Sequence, residues 1–271
     1  MIELLKAVIY GIVQGLTEFL PVSSSAHLII TSKIFAEAKM SVGFEVALHV
    51  GTAIAVVVFF FKDWVRLISA GIKNPKSSDG KMFWYIAAAS IPTGALCLLL
   101  DKLMPKDTSL YIIAAALIVL GIVLYYADKV CPKKTDEQHI GFKNSILIGV
   151  SQVIAAVIPG TSRSGITITA GRLLGIKREA VARFTFLLST PVIVAAGLYK
   201  FKDITQSDTG VLPIIIAVAV SAAVGMLCIK FMLTYIRKKG FGIFAIYRIA
   251  LGLLIIVLTM AGVFPQVVTL S

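Results

Sequence analysis

Residues 18–27 read Glu-Phe-Leu-Pro-Val-Ser-Ser-Ser-Ala-His, EFLPVSSSAH. A carboxylate, three hydroxyls and an imidazole crowd around one proline, in the middle of an otherwise apolar region spanning residues 4–36. Proline lacks a backbone N–H and interrupts a helix, and the serines after it are the residue type that caps a new one. The stretch therefore reads as helix, break, helix. The pattern returns in residues 144–175, where Pro159 is followed by Gly160-Thr161-Ser162-Arg163-Ser164-Gly165.

Around these two regions lie uninterrupted apolar runs at about 44–61, 82–100, 110–127, 182–199, 211–233 and 243–263. Each approaches the roughly 20 residues a helix needs to cross the hydrocarbon core. The composition agrees: 58% hydrophobic and 15% charged residues, against roughly 25% charged in soluble domains, with a mean hydropathy of +0.93. The predicted architecture is an all-α polytopic membrane protein with six full transmembrane helices and two re-entrant helical hairpins, forming a single integral-membrane domain over residues 1–271.

The net charge of +12 does not imply a nucleic-acid partner, because the cations are scattered through short connections. With 44–61 as the first full crossing, the connections 62–81, 128–143, 172–183 and 234–248 share one side and carry 5, 4, 4 and 4 Lys or Arg. The other side has seven: Lys6, Lys33, Lys39, Lys102, Lys106, Lys200 and Lys202. By the positive-inside rule the first set is cytoplasmic and both termini lie outside. That parity requires each interrupted region to enter and leave on the same face.

Cys97, Cys131 and Cys228 match neither a disulfide framework nor a metal-ligand spacing and read as packing residues. Gln14 and Glu18 interrupt what would be the apolar core of a signal peptide, so the N-terminal segment is expected to be retained.

Sliding the chain by 138 residues lays Gly11 and Gln14 over Gly149 and Gln152, Pro21 over Pro159, Ser24 over Ser162, and Ile30-Thr31 over Ile168-Thr169. Two further residues of offset lay Phe61-Lys62-Asp63 over Phe201-Lys202-Asp203. The halves, about 1–127 and 144–263, read as homologous units. The charge count inserts their hairpins from opposite faces, giving an inverted-topology repeat whose broken tips meet inside the membrane. Such repeats place ligand sites where the half-helices meet. The plainer alternative, two spanning helices kinked by Pro21 and Pro159, leaves the serines after each break unexplained.

Free backbone N–H groups at a helix start form an anion site. Ser23-Ser24-Ser25 and Gly160-Thr161-Ser162-Arg163-Ser164-Gly165 supply capping residues, close backbone approach and, in Arg163, a planar fork for two phosphoryl oxygens. An arginine inside the membrane needs an anionic partner. Glu18 alone is one answer, a structural ion pair; a phosphate is the other. Gln14 and Glu18 share a helix face at i, i+4, and their oxygens suit a hard divalent cation such as Mg²⁺ or Ca²⁺. Ser24 and His27, at i, i+3, suit a hydroxyl nucleophile with an imidazole base, or a histidine that activates water. His49 and His139 lack comparable neighbours in sequence and are left out of the chemistry.

In QGLTEFLPVSSSAH at 14–27, PGTSRSGITIT at 159–169 and FAIYR at 244–248, the chain resembles the bacterial undecaprenyl-diphosphate phosphatase family of the bacitracin-resistance type, over residues 7–263. The resemblance implies hydrolysis of undecaprenyl diphosphate to undecaprenyl phosphate and inorganic phosphate, recycling the lipid carrier of peptidoglycan synthesis at the bacterial plasma membrane. It also implies a divalent cation and an active site open to the outside. By motif, Glu18 matches the essential acid, Ser24 and His27 the catalytic pair, and Arg163 with Ser162, Ser164 and Thr167 the phosphate-binding segment. Many members have a glutamate where this chain has Gln14, which leaves the cation ligand there open. The expected partners are a polyprenyl diphosphate, membrane lipid and, for assembly, a second copy in a homodimer. The rival function is a secondary transporter or flippase of a lipid phosphate, since inverted repeats with re-entrant hairpins are transporter architecture.

Overall fold

Both proline breaks are flanked by helices of matching length in a computed structural model of the chain, which describes residues 2–35, 40–103, 107–131, 134–205, 207 and 209–269. The side chains at 97, 98 and 100–103 fall outside that description, so the packing expected of Cys97 does too. Helices α1 (Ile2–Thr17) and α2 (Ser24–Ile34) flank the first break, α7 (Phe142–Val157) and α8 (Arg163–Leu173) the second. α2 and α8 are each 11 residues long.

The breaks end in the same cap. Ser23 and Ser162 have φ of 76° and 67°, a region a side chain enters only at a cost of about 1–3 kcal/mol. The hydroxyl of Ser23 accepts from Ala26 N at 3.4 Å and that of Ser162 from Gly165 N at 3.1 Å. Ser25 Oγ and Ser164 Oγ lie 3.1 and 3.2 Å from their respective cap hydroxyls. Ser23 is therefore the counterpart of Ser162, which corrects the alignment of Ser24 with Ser162. The second break has one more residue, Gly160-Thr161 against Val22, and Gly160 takes φ 88° to absorb it. In the corrected register Ser24 corresponds to Arg163 and His27 to Ile166.

Among the described residues five helices are long and apolar enough to cross a membrane: α3 (Val42–Phe59), α6 (Leu110–Val130), α9 (Arg178–Tyr199), α11 (Val211–Lys238) and α12 (Gly242–Met260). The sixth expected span, 82–100, lies in α5 (Ser78–Leu103), a continuous helix that falls outside this set. Its polar positions are turned onto α7, where Thr93 Oγ1 donates to Gly149 O at 2.8 Å and Gln152 Nε2 lies 3.4 Å from Thr93 Oγ1.

Residues 62–81, expected as a loop, instead begin with helix α4 (Phe61–Lys73). Leu67 and Gly71 face inward, and Phe61, Val65, Ile68 and Ile72 are exposed at helical spacing. A short helix, α10 (Phe201–Thr205), opens on the same Phe-Lys-Asp triplet in the second half.

The helices interlock across the halves. α11 packs on α1 and α3, α5 on α7 and α9, and α6 on α8 and α12. α1 approaches α11 through glycines: a Cβ on Gly15 would meet Val224 Cβ at 2.8 Å and Gly225 N at 2.9 Å. Phe19, beside the first proline, is buried and meets Phe186 of α9 edge-on at 5.7 Å between ring centroids. Leu227 and Phe231 on α11 and Leu253, Leu254 and Val257 on α12 are exposed, an outer surface suited to acyl chains rather than water. A two-stranded antiparallel ribbon, β1 (Asp107–Ser109) with β2 (Val267–Thr269), ties the C-terminal segment to the start of α6.

Two arginines assigned to loops by sequence are fully buried. Arg172 shares Asp128 with Arg178: its Nε lies 3.3 Å from Asp128 Oδ1, and Arg178 Nε lies 2.6 Å from the same oxygen. Asp128 Oδ2 also accepts from the backbone N–H of Phe241 at 3.0 Å. Arg248, inside α12, lies among backbone carbonyls. Both leave the count of loop cations, which still favours the same side.

Candidate active site

α1 stops at Thr17, so Glu18 emerges at the first turn of the break, buried and still tied to the helix end through its N–H to Gln14 O at 3.0 Å. Its carboxylate collects donors from three segments. Oε1 accepts from Arg163 Nη2 at 2.5 Å; Oε2 accepts from Ser24 Oγ at 2.7 Å and from Gln14 Nε2 at 3.0 Å. The first residues of α2 and α8 thus meet on one acid, although Glu18 and Arg163 are 145 positions apart. Ser164 Oγ adds a direct tie between the breaks by donating to Leu20 O at 2.9 Å.

These contacts leave polar atoms unused. Gln14 Oε1, Arg163 Nη1 and Thr161 Oγ1 are buried without a hydrogen-bond partner. Buried polar atoms are rarely left so, and the amide oxygen of Gln14 and the guanidinium nitrogen of Arg163, both on residues bonded to the Glu18 carboxylate, mark a place where a polar ligand fits. Glu18 and Arg163 also line a cavity of about 700 Å³ whose walls come from α3, α5 and α9, with Val46, Ile91 and Val192 among its apolar residues.

His49 belongs to this site, contrary to its exclusion on sequence grounds. Its Nδ1 lies 2.9 Å from Gln14 Nε2 and 3.7 Å from Glu18 Oε2, and its Nε2 lies 4.0 Å from Glu45 Oε1. Glu45 and His49 line the same cavity. The signal was present in the i, i+4 spacing of these two residues, but the approach of α3 to Gln14 is a tertiary contact that local pattern does not reveal.

His27 goes elsewhere. The hydroxyl of Ser24 is engaged by Glu18 and not by His27. The imidazole Nδ1 lies 2.7 Å from Ser23 O and Nε2 lies 2.7 Å from Tyr247 Oη. Since a carbonyl only accepts, Nδ1 carries the proton and Nε2 accepts from the phenol. The i, i+3 pairing of Ser24 with His27 gives way to a carboxylate–serine pair.

The other expected phosphate ligands are placed as follows. Ser23 and Ser162 spend their hydroxyls as caps, and Ser25 and Ser164 sit against them. Thr167 Oγ1 donates to Arg163 O at 2.9 Å, within its own helix. Gly160 and Thr161 direct their carbonyls to Arg248 Nη2 at 3.3 and 2.8 Å. Arg248 and Tyr247, the last two residues of the FAIYR stretch, are the neighbours of both breaks that sequence reading left without a role.

A family model described as bacitracin resistance protein BacA matches residues 7–254. An undecaprenyl-diphosphatase of Pelotomaculum thermopropionicum is 45% identical over 261 residues, covering 96% of this chain and 98% of that protein. One of Moorella thermoacetica is 43% identical over 255 residues, covering 93% and 96%. One of Chlorobium phaeovibrioides is 42% identical over 278 residues, covering 96% and 98%.

Proposed function

Because the chain belongs to the bacitracin resistance protein BacA family, we propose that its cavity and the Glu18 cluster hydrolyse undecaprenyl diphosphate. The chain is a multi-pass membrane undecaprenyl-diphosphatase, releasing undecaprenyl phosphate and inorganic phosphate. The observation that carries the site assignment is the convergence of Ser24 and Arg163 on Glu18 at 2.7 and 2.5 Å.

The apolar walls of the cavity take the start of the polyprenyl chain, and its polar end takes the diphosphate. Arg163 holds a terminal phosphoryl oxygen through its unpartnered Nη1 while Nη2 stays on Glu18. Ser24 Oγ attacks the terminal phosphorus, and Glu18 Oε2, already its acceptor, receives the proton. A bond forms from Ser24 Oγ to phosphorus, the bridging P–O bond breaks, and undecaprenyl phosphate leaves. Water then cleaves the phosphoserine, giving inorganic phosphate. His27 supports this by fixing Ser23 rather than by taking the serine proton.

The oxygens of Glu18 and the unpartnered Oε1 of Gln14 fit a hard divalent cation. Among the described residues no cluster of three His, Cys, Asp or Glu could hold a metal ion, so diphosphate and water would complete the ligand set. Bound there, Mg²⁺ or Ca²⁺ supplies neutralisation of phosphate charge.

The two break units form the tips of re-entrant hairpins in an inverted repeat, with repeat one at about 1–127 and repeat two at about 144–263. The matched caps and the Ser164–Leu20 tie support that reading. The loop cations support an orientation in a bacterial plasma membrane with α4 cytoplasmic and both termini and the cavity mouth outside. A homodimer is consistent with the exposed apolar helix faces.

The direct test is phosphate release from undecaprenyl diphosphate by detergent-purified protein with Mg²⁺ or Ca²⁺, and its loss in chelator. Release under no cation condition would move the reading to a lipid-phosphate carrier. A trapped phosphoryl-enzyme that vanishes in Ser24→Ala supports the covalent route; full turnover in that variant assigns the attack to water.

A further inference from the structure

The Tyr247–Arg248 pair of α12 touches both breaks without reaching the cavity. Arg248 is fully buried, lies seven residues after the cap Phe241, and has no carboxylate among its described partners. Its Nη2 lies 2.8 Å from Thr161 O, 3.3 Å from Gly160 O and 3.4 Å from Ala116 O; its Nη1 lies 3.4 Å from Pro21 O. One guanidinium therefore donates to carbonyls of the first break, the second break and α6. Its neighbour works through an imidazole: Tyr247 Oη lies 2.7 Å from His27 Nε2, whose Nδ1 lies 2.7 Å from the carbonyl of Ser23, the cap with φ 76°. The phenol and imidazole planes are nearly parallel, at 8°.

Turns at these positions need an outside restraint. Pro21 and Pro159 interrupt the helices, and Ser23, Gly160 and Ser162 sit at positive φ, so the peptide groups between helix end and cap cannot all be satisfied within their own segment. A planar fork of five N–H donors is the side chain able to bridge carbonyls from separate strands of chain.

We propose that Arg248 is a positioning residue that locks both breaks in the register bringing Ser24 and Arg163 onto Glu18, and that Tyr247 locks the first break alone, through His27. This rests on the phosphatase reading for its kinetic consequence and on geometry alone for its structural one. Arg248 sets the placement of the reacting groups, so its loss falls on kcat; substrate capture by the cavity walls is retained, so KM changes little.

The experiment compares wild type, Arg248→Lys, Arg248→Met and Tyr247→Phe in detergent, by phosphate release and by hydrogen exchange of peptides covering 19–26 and 158–166. Arg248→Lys keeps the charge but not the fork; it is expected to lower kcat at least tenfold with KM within about twofold and to speed exchange in both segments. Arg248→Met is expected to do the same more severely. Tyr247→Phe should speed exchange only in 19–26. Unchanged exchange in either segment of Arg248→Lys, or loosening spread equally over all helices, overturns the proposal, as does equal loosening of both segments in Tyr247→Phe. If Arg248→Met does not fold, the lysine and phenylalanine variants carry the test. Absence of phosphate release by wild type defeats the phosphatase reading while leaving the exchange result to judge the lock.

Discussion

Glu18 does its work by being shared. With acceptors used by Arg163, Ser24 and Gln14, it orders a guanidinium, a hydroxyl and an amide at once. Glu18→Ala and Arg163→Ala are each expected to lower kcat/KM at least 100-fold, about 2.7 kcal/mol of transition-state stabilisation, with the helical circular dichroism unchanged; more than a tenth of the wild-type rate would remove either from the core mechanism. Gln14→Glu adds a carboxylate where an unpartnered oxygen now sits, and should lower the Mg²⁺ concentration for half-maximal phosphate release several-fold. An unchanged cation dependence would remove that position from the ligand set. Glu18, Ser24 and Arg163 were legible because polar residues beside prolines stand out in apolar sequence. His49 and Arg248 were not: the first depends on a contact 35 positions away, and the second lies close to Arg237, Lys238 and Lys239, which made it look like a loop cation. Position 248 lies well inside an apolar helix, and that was the available clue.

The two caps resolve a conflict between side chain and backbone at the scale of the element. Each serine gains a cap hydrogen bond and pays in positive φ. Ser162→Ala loses the bond and keeps the strain, so Tm should fall by the equivalent of about 1 kcal/mol. Ser162→Gly loses the bond but relieves the strain, and should leave Tm near or above wild type; a fall as large as that of the alanine variant would show the cap to be unstrained. The proline breaks located α1, α2, α7 and α8, but the one-residue difference between the breaks was invisible because proline alignment and serine alignment compete. α4 was missed for a related reason: with Lys62, Asp63, Arg66 and Lys73 it looked like a charged loop, although Phe61, Val65, Ile68 and Ile72 recur on one helix face.

At the scale of the whole molecule, interlocking across the halves holds the breaks together, since α1 rests on α11 while α8 rests on α6 and α9. Gly15→Leu forces α1 off α11 where a Cβ already meets Val224 at 2.8 Å; the variant should elute as aggregate on size exclusion, and a monodisperse active protein would contradict the packing. For orientation, a cysteine at Gln138 should resist an impermeant maleimide in intact cells while one at Gly262 reacts; the reverse pattern would invert the molecule.

Arg248, held among the described residues by carbonyls alone, has an electrostatic corollary. Arg163 is neutralised by Glu18, but Arg248 keeps a full unit of positive charge far from aqueous counterions, where salt screens poorly. An empty protein would thus present a standing attractive potential behind the two turns, drawing a lipid anion inward from the interface before any metal accompanies it.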